Sequence, residues 1–189
     1  MKVNIKTDLI TKIPSDVITL GIDAKNQTMD SVGLDKKTVN YIKAVLVLGD
    51  LSEKVGSTMI VYGDHFYPKI LLVRVGDPKL LTANLFYSAV LSMANKLKPL
   101  KFKNLLIPIN QFINTSLSAH AVAEYSVRGL MDVIYDVNSL KTINKVKQNI
   151  FQTIIHYDGT DLVQVKKGVQ HGMAMMEGAN LTKDLGNLP

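Results

Sequence analysis

The alternation of apolar and polar residues along the first half of the chain is typical of short strands separated by loops. Val3 and Ile5 alternate with polar neighbours, which predicts a half-exposed strand at the start. Apolar residues three and four positions apart predict one helix between residues 36 and 47. Gly63 and Asp64 separate two strand-like runs, so a β-hairpin is expected there. The strands predicted for this half lie at residues 2–6, 16–22, 58–62 and 69–75.

From residue 69 onward, strand-like and helix-like patterns take turns. Asp77 and Pro78 predict a helix that starts there with Asp77 as its N-cap, and Ser116 or Ser118 predicts the start of the next one. Nearly continuous apolar character predicts strands at residues 104–109 and 150–156, the second after a polar connector at residues 138–149. The expected buried positions are Leu81, Leu85, Ala89, Met93 and Leu97 on the first helix and Ala119, Ala123, Val127, Leu130 and Ile134 on the second. Successive strand–helix units imply parallel strands with helices on both faces, so the predicted fold class is α/β with a mixed, largely parallel sheet.

The last stretch, residues 161–189, has the pattern of one long helix. Asp161 followed by Gln164 predicts an N-cap with a capping box, and Gly186 and Pro189 predict the end. The expected buried stripe is Val165, Val169, Met173 and Met176. At about 1.5 Å per residue, about 25 residues make a rod of about 37 Å, which is long for a helix that only covers a small sheet. Each interior glycine costs about 1 kcal/mol relative to alanine, so three of them suggest that another backbone passes close by: Gly168, Gly172 and Gly178.

The end of this stretch also carries a motif. Residues 178–189 read GANLTKDLGNLP. They closely resemble the junction of the leucyl aminopeptidases (cytosol aminopeptidases), in which Gly-x-Asn-Leu-x-(Arg/Lys)-Asp-Leu-x-Asn-x-Pro joins an N-terminal domain to the catalytic domain. The alternative is an amphipathic C-terminal helix with a glycine–asparagine cap, although composition alone rarely reproduces such a string. The resemblance implies a macro-domain-like N-terminal domain at residues 1–158 and an interdomain linker helix at residues 159–189, which leads to a C-terminal catalytic domain absent from this chain.

The resemblance extends more loosely over the rest of the chain. Residues 73–76, followed by residues 80–83, are similar to the family's strand that ends in glycine before a helix. Residues 119–135, followed by Lys141, look like the family's next helix and connector, although residues 136–140 depart from that pattern. The segment after Ser52 resembles the family's Gly-Lys-x-Gly loop, with Glu53 in place of the first glycine.

Charge and composition narrow the classes of protein that remain. A formal net charge of +6 invites a nucleic-acid-binding interpretation, but Arg74 and Arg128 are the only arginines and the lysines are scattered, so a solvated basic surface is favoured. The chain contains no cysteine, which excludes a disulfide framework and thiolate chemistry. No apolar run approaches the about 20 residues that span a bilayer, and the start lacks the apolar core of a signal peptide. These features allow a reducing cytoplasm and no membrane partner is expected, while the resemblance implies a cytoplasmic protein.

Few side chains suggest chemistry. His120 and Glu124 lie four apart on a predicted helix and could share a metal ion, although a surface pair is the favoured interpretation. We expect a polar position beside a loop for His156 and a packing or interdomain hydrogen bond for His171. The sequence has no Gly-x-Ser-x-Gly elbow and no P-loop, and the glycine-rich loop that ADP-ribose binding would need is not evident. We therefore assign no catalytic, metal-binding or cofactor-binding residue.

The resemblance also implies a function for a parent enzyme. Leucyl aminopeptidases release N-terminal amino acids from peptides with two divalent ions (manganese, zinc or magnesium) held by Asp, Glu and Lys of the catalytic domain. The family signature Asn-Thr-Asp-Ala-Glu-Gly-Arg does not occur here. We therefore expect this chain alone to be inactive and to carry no cofactor, and to support assembly and access beside its own catalytic domain in a homo-hexamer. The alternatives are a nucleic-acid-binding or an ADP-ribose-type binding module.

Overall fold

Six runs rich in Val, Ile and Leu pair into a single sheet in the order β1-β6-β5-β2-β4-β3. The structure is a computed structural model that describes residues 1–25, 32–135 and 151–187. The strands are β1 (Lys2–Lys6), β2 (Val17–Asp23), β3 (Thr58–Tyr62), β4 (Lys69–Gly76), β5 (Asn104–Pro108) and β6 (Gln152–His156). Among the described residues, the α-helices are α1 (Lys36–Val47), α2 (Ala83–Leu97), α3 (Ala119–Ile134) and α4 (Leu162–Gly186), and short 3-10 turns lie at Ile10–Lys12 and Ile109–Phe112.

The pairing is parallel except at one edge. β3 pairs with β4 antiparallel, with Thr58 opposite Val73 and Tyr62 opposite Lys69, so the predicted hairpin is confirmed. The other pairings, β1 with β6, β6 with β5, β5 with β2 and β2 with β4, are parallel. The predicted α/β class with a mixed, largely parallel sheet is therefore confirmed.

The core lies in two layers, because successive side chains of a strand point to opposite faces of the sheet. On β2, Ile18 packs with Ile42 of α1 on one face. On the opposite face, Val17 belongs to the cluster that is shared by α2, α3 and α4. The sheet is thus covered by α1 on one side and by the other three α-helices on the other, and α4 contributes Val165 and Val169 to the larger layer.

A buried glutamine joins β2 to the segment after β5, where the two strands diverge. Their ladder includes only the Val17–Leu105 and Ile18–Leu106 pairs. Beyond it, the Gly21 amide donates to Oε1 of Gln111 at 2.7 Å, and Nε2 of Gln111 donates to the carbonyl oxygens of Thr19 and Pro108. Gln111 thus supplies hydrogen bonds that the ladder no longer provides.

The predicted start of the second helix was wrong. α2 begins at Ala83 with Thr82 as its N-cap, and the Thr82 hydroxyl accepts from the Leu85 amide. Asp77 instead closes a turn, because its carboxylate accepts from the Lys79 amide. The later start changes the buried face, so Leu81 is buried ahead of the helix and Leu85 is 40% exposed. The buried residues of α2 are Phe86, Ala89, Val90, Met93, Ala94 and Leu97.

The other helix starts were predicted correctly, and one helix end was not. Ser118 caps α3 by accepting from the Ala121 amide, and Asp161 caps α4 by accepting from the Gln164 amide. Gly186 is the last residue of α4, with Asn187 as C-cap, rather than a glycine beyond the helix. The predicted connector at residues 138–149 and the proline stop at 189 lie outside the described residues. Within the described ranges, no helix has the length and apolar character needed to cross a membrane.

Candidate functional site

The two last helices run side by side in the same direction and pack backbone to backbone. A methyl group added at Gly168 would collide with the His120 carbonyl group, and one added at Gly172 would lie 2.7 Å from the Glu124 carbonyl oxygen. The prediction that a neighbouring backbone approaches these glycines is therefore confirmed, and that backbone is α3. Gly178 differs, because nothing among the described residues lies within 4 Å of an added methyl group there.

This close packing brings together three side chains that the sequence analysis had treated separately. Nδ1 of His171, on α4, lies 3.5 Å from Oε2 of Glu124, and Nδ1 of His120 lies 3.8 Å from the same oxygen. The two imidazole rings meet edge to face with their centroids 5.6 Å apart. The sequence placed His120 and Glu124 one turn apart, but it did not show that His171 joins them. We call these three residues the His–Glu–His cluster.

A polar network continues from this cluster along α3. Oε1 of Glu124 accepts from Nη1 of Arg128 at 3.0 Å, and the Arg128 guanidinium lies over the rings of Tyr87 and Tyr125. The Tyr87 hydroxyl donates to Asp132, and partial burial, followed by the nearby Asp132 carboxylate, raises the pKa of Tyr87. The network thus fixes one oxygen of Glu124 and leaves Oε2 facing the two histidines.

The motif at the end of α4 has two faces. Its charged residues turn towards α3: Nζ of Lys183 donates to Asp132 at 2.7 Å, and Asp184 accepts from the Tyr135 hydroxyl at 2.9 Å. Its leucines turn away, with Leu181 60% and Leu185 63% exposed. Among the described residues, the exposed positions Ala174, Gly178, Leu181 and Leu185 follow one another at spacings of three or four, so they form a single stripe along the helix. We call these four residues the outer stripe of α4.

The ends of β2 and β4 border a second candidate site. A cleft of 550 Å³ is lined by residues that include Ala24, Ser52, Arg74 and Gly76. Arg74 is 8% exposed, and its guanidinium donates to the carbonyl oxygens of Asp23, Leu51 and Ser52. Its charge is therefore used to hold loop backbone together.

The remaining two histidines lie outside the His–Glu–His cluster. His156 is 4% exposed at the end of β6, and its Nε2 lies 2.8 Å from the Asp8 carbonyl oxygen. His65 is exposed in the loop between β3 and β4. Neither residue belongs to a group of three potential metal ligands within the described ranges.

Sequence comparison finds a matching family model and relatives of this chain. The family model described as "Cytosol aminopeptidase family, N-terminal domain" matches residues 19–144. The chain is 24% identical to a probable cytosol aminopeptidase of Buchnera aphidicola subsp. Baizongia pistaciae (strain Bp), an alignment that covers 100% of the chain and 39% of that protein. It is 28% identical to a cytosol aminopeptidase of Pseudomonas aeruginosa over 82% of the chain and 32% of that protein. The chain thus spans well under half of the length of these relatives.

Solved structures agree on the fold. A mutant of tomato leucine aminopeptidase superposes with a TM-score of 0.78 and 16% identity, over 100% of this chain and 38% of that one. The bottromycin maturation enzyme BotP in complex with Mn superposes with a TM-score of 0.64 and 16% identity, over 93% of this chain and 32% of that one. A mutant of the Oceanobacillus iheyensis macrodomain superposes with a TM-score of 0.63 and 11% identity, over 92% of this chain and 93% of that one. These likenesses confirm the expected macro-like architecture.

Three observations point to the same family. The family model matches most of β2 and continues through α3, the relatives align along the chain, and the motif lies at the end of α4. The chain belongs to the cytosol aminopeptidase family and corresponds to its N-terminal domain.

Proposed function

We propose that this chain is the non-catalytic N-terminal domain of a cytoplasmic leucyl aminopeptidase, and that α4 joins it to a C-terminal catalytic domain. The parent enzyme releases N-terminal amino acids from peptides by metal-assisted hydrolysis, and this domain supports assembly and access to the active sites. The 39% and 32% shares of the relatives that the chain spans support this proposal, because they leave room for a second domain.

The observation that carries the proposal is the outer stripe of α4. Leu181 and Leu185 are mostly exposed although α4 packs along α3 on its other side. Gly178 lies in the same stripe with open space around it, although a glycine in a helix interior costs about 1 kcal/mol relative to alanine. An apolar stripe with a small residue at its centre suits close packing against another body. On this proposal, residues 159–189 are the linker helix and residues 1–158 are the domain that it serves.

The proposed metal chemistry belongs to the parent enzyme. Two divalent ions, manganese, zinc or magnesium, would activate the attacking water and polarise the scissile carbonyl group. The resemblance assigns them to Asp, Glu and Lys ligands, and the His–Glu–His cluster does not match that set. No step of peptide hydrolysis is therefore assigned to residues of this chain. The complex of BotP with Mn supports manganese as one candidate for the parent.

The first experiment measures peptidase activity. The purified 189-residue chain is incubated with leucine p-nitroanilide and manganese, and the full-length relative from Pseudomonas aeruginosa serves as the positive control. We expect turnover by the control and none above blank by this chain. Manganese-dependent turnover by the chain would refute its non-catalytic role.

The second experiment tests whether the outer stripe of α4 contacts the catalytic domain. In a protein that carries this chain and its catalytic domain, Leu181→Asp with Leu185→Asp should separate the domains, which limited proteolysis would detect. The matched control is Lys166→Asp with Lys167→Asp, which changes two exposed residues outside the outer stripe. Equal protease resistance of both double variants would argue against the outer stripe as the interface.

Nucleic-acid binding is the weaker proposal, because both arginines already have partners within the chain. Arg74 is held by loop carbonyl groups, and Arg128 pairs with Glu124 and stacks on two tyrosines. The positive charge at the surface is therefore carried by lysines, which lack the bidentate geometry of arginine. Duplex DNA binding that weakens steeply with added salt would favour this alternative.

A further inference from the structure

We propose that His120, Glu124 and His171 bind one divalent ion of the zinc class, which links α3 to α4. Two imidazoles and one carboxylate form a ligand set suited to zinc, cobalt or nickel, whereas magnesium and calcium prefer oxygen ligands. The proposal goes beyond the function proposed above, which assigns no metal to this chain.

The distances fit a site that closes around an ion. One potential ligand atom from each residue lies within 4.8 Å of the others. Around a tetrahedral zinc ion with bonds of about 2.0–2.2 Å, neighbouring ligand atoms are about 3.4 Å apart. The spacings of 3.5 and 3.8 Å between the two Nδ1 atoms and Oε2 of Glu124 are already near that value. The side chain of His171 is 67% exposed, so it has room to rotate towards the other two.

The backbone and the neighbouring side chains hold the ligands in place. His120 and Glu124 are one turn apart on α3, and the contacts at Gly168 and Gly172 fix the height at which His171 crosses from α4. Arg128 binds Oε1 of Glu124, which orients the carboxylate so that Oε2 faces the histidines. A contact of this kind raises metal affinity, because it restricts the orientation of the ligand that it touches.

The same arginine sets a limit on affinity. The positive charge of Arg128 offsets the negative charge of Glu124. The three ligands also leave the remaining coordination positions of the ion to water. We therefore expect binding in the micromolar range, well short of a closed four-ligand structural site. Loss of one ligand should weaken binding by about 100-fold, at least as much as the loss of a residue that only orients a ligand.

The test uses zinc sulfate as the probe, with magnesium sulfate as the comparison ion, and isothermal titration calorimetry on the 189-residue chain. Wild type should bind one zinc ion and no magnesium. A zinc concentration about 100-fold above the dissociation constant should raise the thermal midpoint by about 5–10 °C. His171→Ala and Glu124→Gln should each lose this binding, whereas His65→Ala, which removes an exposed histidine elsewhere, should keep it.

Each result decides the proposal. One zinc ion bound by wild type and His65→Ala, but not by His171→Ala, supports the site. Equal binding by wild type and His171→Ala would overturn it, because the ion would then sit elsewhere. No heat and no shift of the midpoint with wild type at about 100 μM zinc would also overturn it. His171 is mostly exposed, so a folded variant is expected, and circular dichroism checks this.

Discussion

At the scale of single residues, the structure depends on a few buried polar side chains with defined partners. Gln111 bridges β2 and the turn after β5, Arg74 gathers three loop carbonyl groups, and Tyr67 donates to the Ile10 carbonyl oxygen at 2.6 Å. Buried polar groups cost stability unless they are hydrogen-bonded, so each of these contacts is sensitive to substitution.

Gln111→Ala should lower the free energy of unfolding by about 2–4 kcal/mol. The substitution removes the hydrogen bonds that Gln111 makes with the Gly21 amide and with the carbonyl oxygens of Thr19 and Pro108, and it leaves a small cavity. Urea unfolding followed by circular dichroism measures the change. Asn95→Ala is the matched control, because its exposed side-chain amide donates to the Leu91 carbonyl oxygen within the same helix. A loss below about 0.5 kcal/mol for Gln111→Ala would contradict the bridging role.

Tyr67→Phe should alter how the free energy of unfolding depends on pH in alkaline solution. Burial, followed by the charge of Asp64, raises the pKa of Tyr67, so the folded state keeps the phenol neutral where the unfolded chain ionises it near pH 10. The stabilisation is complete below that pH and is lost as the pH rises further. Stability of wild type above about pH 10 should therefore fall more steeply than that of Tyr67→Phe. Tyr62→Phe, at a 71% exposed tyrosine, should behave like wild type, and parallel slopes for all three proteins would refute the effect.

At the scale of elements, the decisive contact is the packing of α4 on α3. Val165 and Val169 join the core, while Gly168 and Gly172 allow the two backbones to touch. The height at which His171 meets Glu124 follows from this contact.

Substitution by alanine should change the free energy of unfolding in opposite directions at three interior glycines of α4, Gly168, Gly172 and Gly178. Gly168→Ala and Gly172→Ala should each cost several kcal/mol, because the added methyl group meets a backbone carbonyl group of α3. Gly178→Ala should stabilise the 189-residue chain by up to about 1 kcal/mol, because the space around it is open and alanine favours helix. Chemical unfolding of the three variants provides the comparison. A loss at Gly178 equal to that at Gly168 would show that the described packing is wrong.

Most of the strands and helices could be predicted from the sequence. Strands covered on both faces are continuous apolar runs, so β4, β5 and β6 were found within a few residues. The start of α2 was missed because Asp77 and Thr82 both suit an N-cap, and the choice depends on tertiary contacts such as the packing of Phe86 against Phe112. The His–Glu–His cluster was missed because it depends on the relative height of two helices. The signal available was the four-residue spacing of Gly168 and Gly172 around His171, which indicates where a neighbour touches.

At the scale of the whole molecule, the two sides of α4 differ. Its inner side completes the α/β domain, and its last turns hold Lys183 and Asp184 against α3. Its outer stripe leaves Leu181 and Leu185 without apolar cover among the described residues. This apolar stripe is the surface that the proposed partner domain would cover.

The most direct test is the free energy of unfolding of the double variant Leu181→Asp with Leu185→Asp, measured in the 189-residue chain and in the proposed parent enzyme. In the chain alone we expect a change within about 0.5 kcal/mol, because substitutions at exposed sites away from packed contacts have little effect. In the parent we expect the domain interface to be lost, with a change of more than about 2 kcal/mol. Equal changes in the two proteins, or a large loss of stability in the chain alone, would contradict the proposal that α4 joins this domain to the catalytic domain.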